Sequence, residues 1–274
     1  MLNRNYNDDL FASIYDNCPF WSSHFANTLL NQIEYKKNTI ALDVGTGTGF
    51  PSIEIAERLG STSTVYAVDT WDAALKRAKI KAEQLDVKNV VFQNESVLNL
   101  TFNNNMFDLI TSNNCLNNVS EYTKALKECY RVLKPGGKLV QVFNLPDSLK
   151  EFYNIFRILL EEKEMKKEIA LLELHIFEKR KTTKFTQEAT EKQGYKILNA
   201  SENYFMWPFF NGTCFLNYSF VKLAFLSSWQ DIVPKEQLGT FWLELENRLN
   251  IYSQENNGFK LKIPYSCVVA EKLT

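Results

Sequence analysis

Leu42-Asp43-Val44-Gly45-Thr46-Gly47-Thr48-Gly49-Phe50 is the stretch whose reading decides the fold. Ahead of it, Thr39-Ile40-Ala41-Leu42 is a short apolar run of the kind that forms a buried strand. Behind it, Phe50 to Leu59 places Ile53, Ala56 and Leu59 on one helical face, with Pro51 in the first turn and Gly60 as the stop. Strand, glycine turn and helix follow one another, and such a helix aims its first N–H groups at whatever the turn holds. The dinucleotide fingerprint asks for G-x-G-x-x-G. Here the glycines are 45, 47 and 49, and Phe50 stands where the last glycine would fall. Asp43, just before the turn, would repel a pyrophosphate and attract an ammonium or sulfonium. The ligand predicted is therefore a net-positive nucleoside rather than a dinucleotide.

Three further segments follow in a consistent order. Thr64-Val65-Tyr66-Ala67-Val68-Asp69 is a second strand whose terminal acid suits two ribose hydroxyls. Phe107-Asp108-Leu109-Ile110-Thr111-Ser112-Asn113-Asn114 reads as a strand running into a loop, and Arg131-Val132-Leu133-Lys134-Pro135-Gly136-Gly137-Lys138-Leu139-Val140 as a helix end, a turn and another strand. Together the four segments resemble the class I S-adenosylmethionine (SAM) dependent methyltransferases, in particular the type 11 group that includes quinone and metabolite methylases.

The resemblance implies an α/β fold: a Rossmann-like, doubly wound seven-stranded sheet with its last strand antiparallel. It implies SAM as cofactor and S-adenosylhomocysteine as product. Carried onto this chain, it assigns Asp43, Gly45, Thr46, Gly47 and Gly49 to the donor-binding turn and Asp69 to the ribose. Thr70 or Trp71 would cover a face of the adenine, with core packing as the other reading of Trp71. Where the family usually has an acid for the adenine amino group, this chain has Ser96 followed by Val97; a serine accepts one such hydrogen bond. Asn113 or Asn114 would touch the methionine end or the acceptor. The loop lacks the Asn/Asp-Pro-Pro-aromatic sequence of methylases acting on nucleic-acid bases.

Composition narrows the partners. The 274 residues balance 31 basic against 32 acidic side chains, a net charge of −1 that leaves no electrostatic footprint for duplex nucleic acid. Five cysteines, none in a C-x-x-C pair, make a disulfide framework or zinc site improbable and point to a reduced cytoplasm. Met1 to Asp9 carries no apolar signal core, and no apolar run is long enough to span a membrane. A small-molecule acceptor is expected, with no nucleic acid and no membrane span; a homodimer is a further possibility.

Four regions are expected. Residues 1–38, with Phe11, Tyr15, Phe20, Trp21 and Phe25 among polar residues, form either a lid over SAM or a helix packed on the sheet. Residues 39–204 are the SAM-binding domain, within which Asp147 to Ala170 reads as one long helix, apolar at first and then charged from Glu161 to Glu168 on a solvated face. Residues 205–258 are an inserted helical cap. Its aromatics, including Trp207, Phe215, Phe220, Phe225 and Trp229, suit the wall of an apolar pocket, a separate small core, or a dimer interface. Residues 259–274 close the sheet as its final strand.

Methyl transfer needs positioning and exclusion of water more than acid–base chemistry. A base is required only where the acceptor must lose a proton. His175, beside Glu173, Glu178 and Lys179-Arg180-Lys181, is a candidate base or carboxylate-recognition point, with a structural histidine as the plainer reading. Asn114 is the second catalytic candidate, and Tyr15, Trp21, Asn118 and Trp207 are candidates for the acceptor. No metal is expected. Cys18, Cys115 and Cys214 lie on segments predicted to surround the methyl group, which raises a thiol-dependent metalloid methyltransferase as an alternative. A SAM-binding protein without transfer activity is another.

Overall fold

The computed structural model describes residues 8–273, so the start of the expected 1–38 segment and Thr274 lie outside the described residues. Seven strands form one sheet in the order β3-β2-β1-β4-β5-β7-β6: β1 Ile40–Val44, β2 Thr64–Asp69, β3 Val90–Asn94, β4 Phe107–Asn113, β5 Leu133–Asn144, β6 Tyr195–Phe209 and β7 Phe259–Lys272. β1 to β5 are parallel, and β7 runs antiparallel to β5. The order reverses between β1 and β4, and the crevice outside the strand ends at such a switch point is where open α/β sheets bind ligands.

The chain folds into two compact units, with boundaries inside β6 and β7. The sheet unit holds residues 19–144, 181–203 and 265–274. In it, Leu42, Val44, Ile110, Leu126, Leu133 and Leu139 are fully buried between sheet and helices, as the near-continuous apolar runs of a doubly covered parallel sheet require. Helix α3 Ser52–Leu59 ends where Gly60 takes a positive φ of 72° and its N–H bonds Ala56 O. Helix α4 Asp72–Gln84 starts directly after β2, with Trp71 as its cap position. Helix α5 Tyr122–Val132 buries Ala125, Leu126 and Cys129 on one face, so this cysteine is core. Helices α2 Phe20–Leu30 and α8 Thr183–Lys192 belong here too, the Phe25 ring of α2 lying 5.3 Å from that of Tyr265 and Thr28 Oγ1 2.8 Å from the same tyrosine's hydroxyl.

The helical unit holds the chain up to Cys18, residues 145–180 and residues 204–264. Helix α1 Asp8–Asp16 lies here, with Tyr15 5.7 Å from Phe220, so the segment expected as one N-terminal piece is shared between the units. The single helix expected over Asp147 to Ala170 is two, α6 Lys150–Glu162 and α7 Lys166–Lys179. Glu164 takes the left-handed φ of 55°, Met165 N–H bonds Leu160 O, and Glu164 N–H bonds Glu161 O. This is a Schellman stop with the apolar Met165 folded inward, 8% exposed. Within the expected cap, the first helical stretch is broken into α9 Gly212–Asn217, α10 Ser219–Val221, a π-helical turn Lys222–Leu226 and α11 Ser227–Gln230. Helix α12 Leu238–Glu255 completes the unit. Among the described residues no helix is long and apolar enough to cross a membrane.

Candidate donor site at the glycine turn

The β1–β4 register sets Asp43 opposite Thr111, and Thr111 Oγ1 donates to Asp43 Oδ1 at 2.7 Å. The other oxygen, Oδ2, is buried and has no hydrogen-bond partner. Desolvation pushes the Asp43 carboxyl up to about 7, against the downward pull of its hydrogen bonds. An orphaned, near-neutral carboxyl beneath the turn is a group that a cation would ionise and satisfy.

The turn is stapled to the end of β2. Gly45 N–H and Thr46 N–H both reach Val68 O, at 2.8 and 3.1 Å. Gly47 N–H donates to Asp69 Oδ2 at 2.8 Å, and Trp71 N–H donates to Asp69 Oδ1 at 2.9 Å. Each carboxylate oxygen thus has one bond from the backbone and a lone pair left over. Two ribose hydroxyls match those two remaining acceptors. The glycines divide the work. A Cβ at Gly45, where φ is 73°, would lie 2.3 Å from both Cβ and Sγ of Cys115, so this position lets the loop after β4 approach. At Gly47, with φ 54°, a Cβ would meet nothing within 4 Å. That open face is the one a ligand can lie against. Thr46 Oγ1 turns inward to Ser52 Oγ at 2.6 Å and holds the start of α3.

Beyond the turn, Thr70 is exposed and Trp71 half-buried rather than core. Ser96 Oγ already accepts from Leu98 N–H at 3.2 Å, leaving one lone pair, while Val97 is buried in the core. At the end of β4 an amide cluster forms. Asn114, with φ 55°, accepts from Asn144 N–H through Oδ1 at 3.1 Å, and Asn117 Nδ2 donates to Asn144 Oδ1 at 3.3 Å. Asn113 Nδ2 donates to Ser22 O of α2 at 3.3 Å, and Asn118 Nδ2 to Asn114 O at 2.7 Å. Asn113 Oδ1, Asn114 Nδ2 and Asn117 Oδ1 are buried without partners. The residues present therefore fit an adenosyl cation: an unsatisfied acid and unpaired amide groups at the switch point, an open glycine face, and a carboxylate with two spare acceptors.

The structure thus brings Asp43, Gly45, Thr46, Gly47, Gly49, Asp69, Thr70, Trp71, Ser96, Val97, Asn113, Asn114 and Asn118 into the sheet unit. Trp21 is in the same unit but packs in its core, 8% exposed and edge-on to Phe25. Tyr15, His175 and Trp207 belong to the helical unit. There Trp207 is 3% exposed among Phe209, Phe215, Tyr218 and Phe220, so it builds that unit's core. The ring of His175 lies 6.2 Å from that of Tyr153. Among the described residues no group of three His, Cys, Asp or Glu side chains is placed to hold a metal ion, and burial drives the Cys115 thiol far above its usual range. Thr111, Asn117 and Asn144 were not foreseen as site residues; the strand register that sets them beside Asp43 and Asn114 is not written in any local motif.

A family model described as a methyltransferase domain matches residues 35–201. A demethylmenaquinone methyltransferase of Listeria welshimeri is 36% identical over 129 residues, which is 46% of this chain and 55% of that protein. The chain spans about half the length of the curated relatives it matches. Among solved structures, the YcgJ protein of Bacillus subtilis aligns with a TM-score of 0.60 at 16% identity, over 92% of this chain and 99% of that one. A SAM-dependent methyltransferase of Aquifex aeolicus aligns with a TM-score of 0.54 at 19% identity, over 72% of this chain and 92% of that one. At these identities the structural likeness speaks for the fold.

Proposed function

Because this chain belongs to the class I SAM-dependent methyltransferase family, we propose that it transfers a methyl group from SAM to a small-molecule acceptor with an aromatic body, held in an aromatic-lined pocket. The observation that carries the reading is Asp69, whose two oxygens are positioned by Gly47 N–H and Trp71 N–H and keep two acceptors for ribose hydroxyls.

When bound, SAM supplies an electrophilic methyl group on a sulfonium. The chain's own residues do the rest. Asp69 holds the sugar, with Thr70 and Trp71 beside the adenine and the remaining lone pair of Ser96 for its edge. Asp43, once ionised, favours positive charge over the turn. Asn113 and Asn114, unpaired at Oδ1 and Nδ2, orient the methionine end or the acceptor. For the acceptor, the half-buried rings of Tyr15, Tyr218 and Phe225 in the helical unit are the candidates for apolar surface. His175 remains the candidate for taking a proton at a ring nitrogen. The acceptor of the Listeria relative, a demethylmenaquinone, is one aromatic candidate.

A second reading, SAM binding without transfer, is favoured by one observation. No histidine other than His24 lies in the sheet unit, and its Nδ1 is engaged with Phe20 O at 2.9 Å. Incubating the chain with methyl-labelled SAM and a pool of aromatic metabolites separates the two. Label in an acceptor supports transfer; tight SAM binding with no label in any acceptor supports the second reading.

A further inference from the structure

Among the described residues, the helical unit contains a buried cation with no anion paired to it. Arg180, where α7 ends, is 3% exposed. Its Nη2 donates to the hydroxyl of Tyr153 at 2.9 Å, and its guanidinium carbon lies 5.0 Å from the centre of that ring. Nε and Nη1 are buried and have no hydrogen-bond partner, and among the described residues no carboxylate pairs with it. The Tyr153 hydroxyl, 2% exposed, also accepts from Trp229 Nε1 at 3.0 Å. Both of its lone pairs are then in use, so its own O–H must donate outward. Three donors and a full positive charge converge with nothing among the described residues to receive them. A native fold rarely tolerates this, because a buried charge is retained when something pairs with it.

The surroundings say what kind of molecule fits. Trp229 packs on Phe152 at 4.3 Å and stacks with Phe225 at 5.4 Å and 10°. Phe225 itself sits in the π-helical turn Lys222–Leu226, and such widened turns occur frequently at functional sites. The His175 ring lies 6.2 Å from that of Tyr153, tilted by 57°. One guanidinium matches one negative charge, and rings line its neighbourhood. We propose that Arg180, with Tyr153, binds the carboxylate of an aromatic small molecule. This anion site does not rest on the function proposed above.

Benzoate and its neutral isostere benzamide, added separately to the full chain, test this by calorimetry and thermal unfolding, with phenyl phosphate as a third arm. Benzoate should bind and raise the unfolding temperature, as any ligand selective for the native state does, while benzamide should not. Arg180→Met should abolish benzoate binding without lowering the unfolding temperature of the free protein, because an unpaired buried charge has been removed. Tyr153→Phe should weaken benzoate by about tenfold, the value of one hydrogen bond to a charged group. Equal response to benzoate and benzamide overturns the proposal, and so does preference for phenyl phosphate. Should Arg180→Met not fold, the comparison of the two ligands on the unaltered chain still decides. SAM is titrated in parallel. Benzoate binding with no SAM heat would keep this site and remove the methyl-transfer reading, whereas SAM binding without benzoate discrimination would remove this site alone.

Discussion

Gly47 and Asp69 are joined by a 2.8 Å hydrogen bond from backbone N–H to carboxylate Oδ2, so the glycine turn and the acid proposed to hold the sugar form one piece before any ligand arrives. Preorganisation of this kind removes part of the ordering cost of binding. It also means that the acid has two duties, holding the turn and holding the ligand.

Gly45 should be irreplaceable for steric reasons. Alanine there would set a Cβ 2.3 Å from Cys115 Cβ and Sγ at a φ of 73°, so Gly45→Ala should cost about 3 kcal/mol from overlap and strain together. Adding Cys115→Gly removes both contacting atoms. The double mutant should recover at least about 1 kcal/mol in urea unfolding, a coupling that independent sites would not show.

Asp43 should trade stability for binding. Its carboxyl titrates from 3.8 unfolded to about 7 folded, so the native state holds the extra proton between those values. Stability is then fully present below about pH 4 and lost as pH rises through about 7. Asp43→Asn, which keeps an acceptor for Thr111, should raise stability at pH 8 by on the order of 2 kcal/mol and leave it nearly unchanged at pH 4. In the same experiment SAM affinity of the unaltered protein should fall below pH 7, and that of the variant should be weaker and flat. Equal unfolding temperatures at pH 8 would contradict the buried, raised carboxyl.

Glu164 should be replaceable with profit. Its φ of 55° in the stop between α6 and α7 suits glycine, so Glu164→Gly should stabilise by about 1 kcal/mol, a rise of roughly 2–4 °C in unfolding temperature. Glu164→Ala keeps the strained Cβ and should do nothing comparable.

The sheet was legible because its signals are local. A glycine turn after an apolar run and an acid at the next strand's end announce β1, β2 and the ligand face between them. The helical unit was less so. Glutamate in place of glycine hid the Schellman stop at Glu164, and of the readings open for the cap aromatics (a pocket wall, a small core or a dimer interface) Trp207, Phe215 and Trp229 take the core, packing on one another. A density of rings carries no sign of which face is wet. At the donor site the acids and glycines stood out, but Thr111 beside Asp43 depends on strand register, and Asn144 beside Asn117 joins the end of β5 to the turn after β4. Arg180, Tyr153 and Trp229 are remote in sequence, and only folding brings their donors together.

The central claim is that Asp69 clasps the sugar of an adenosyl donor at the glycine turn, and calorimetry with SAM tests it most directly. The unaltered chain should bind SAM, and Asp69→Ala should weaken it by roughly 2–4 kcal/mol, about 30- to 1,000-fold, as two hydrogen bonds to a charged acceptor are lost. No heat from the unaltered chain, or an affinity that Asp69→Ala leaves unchanged, would contradict the account.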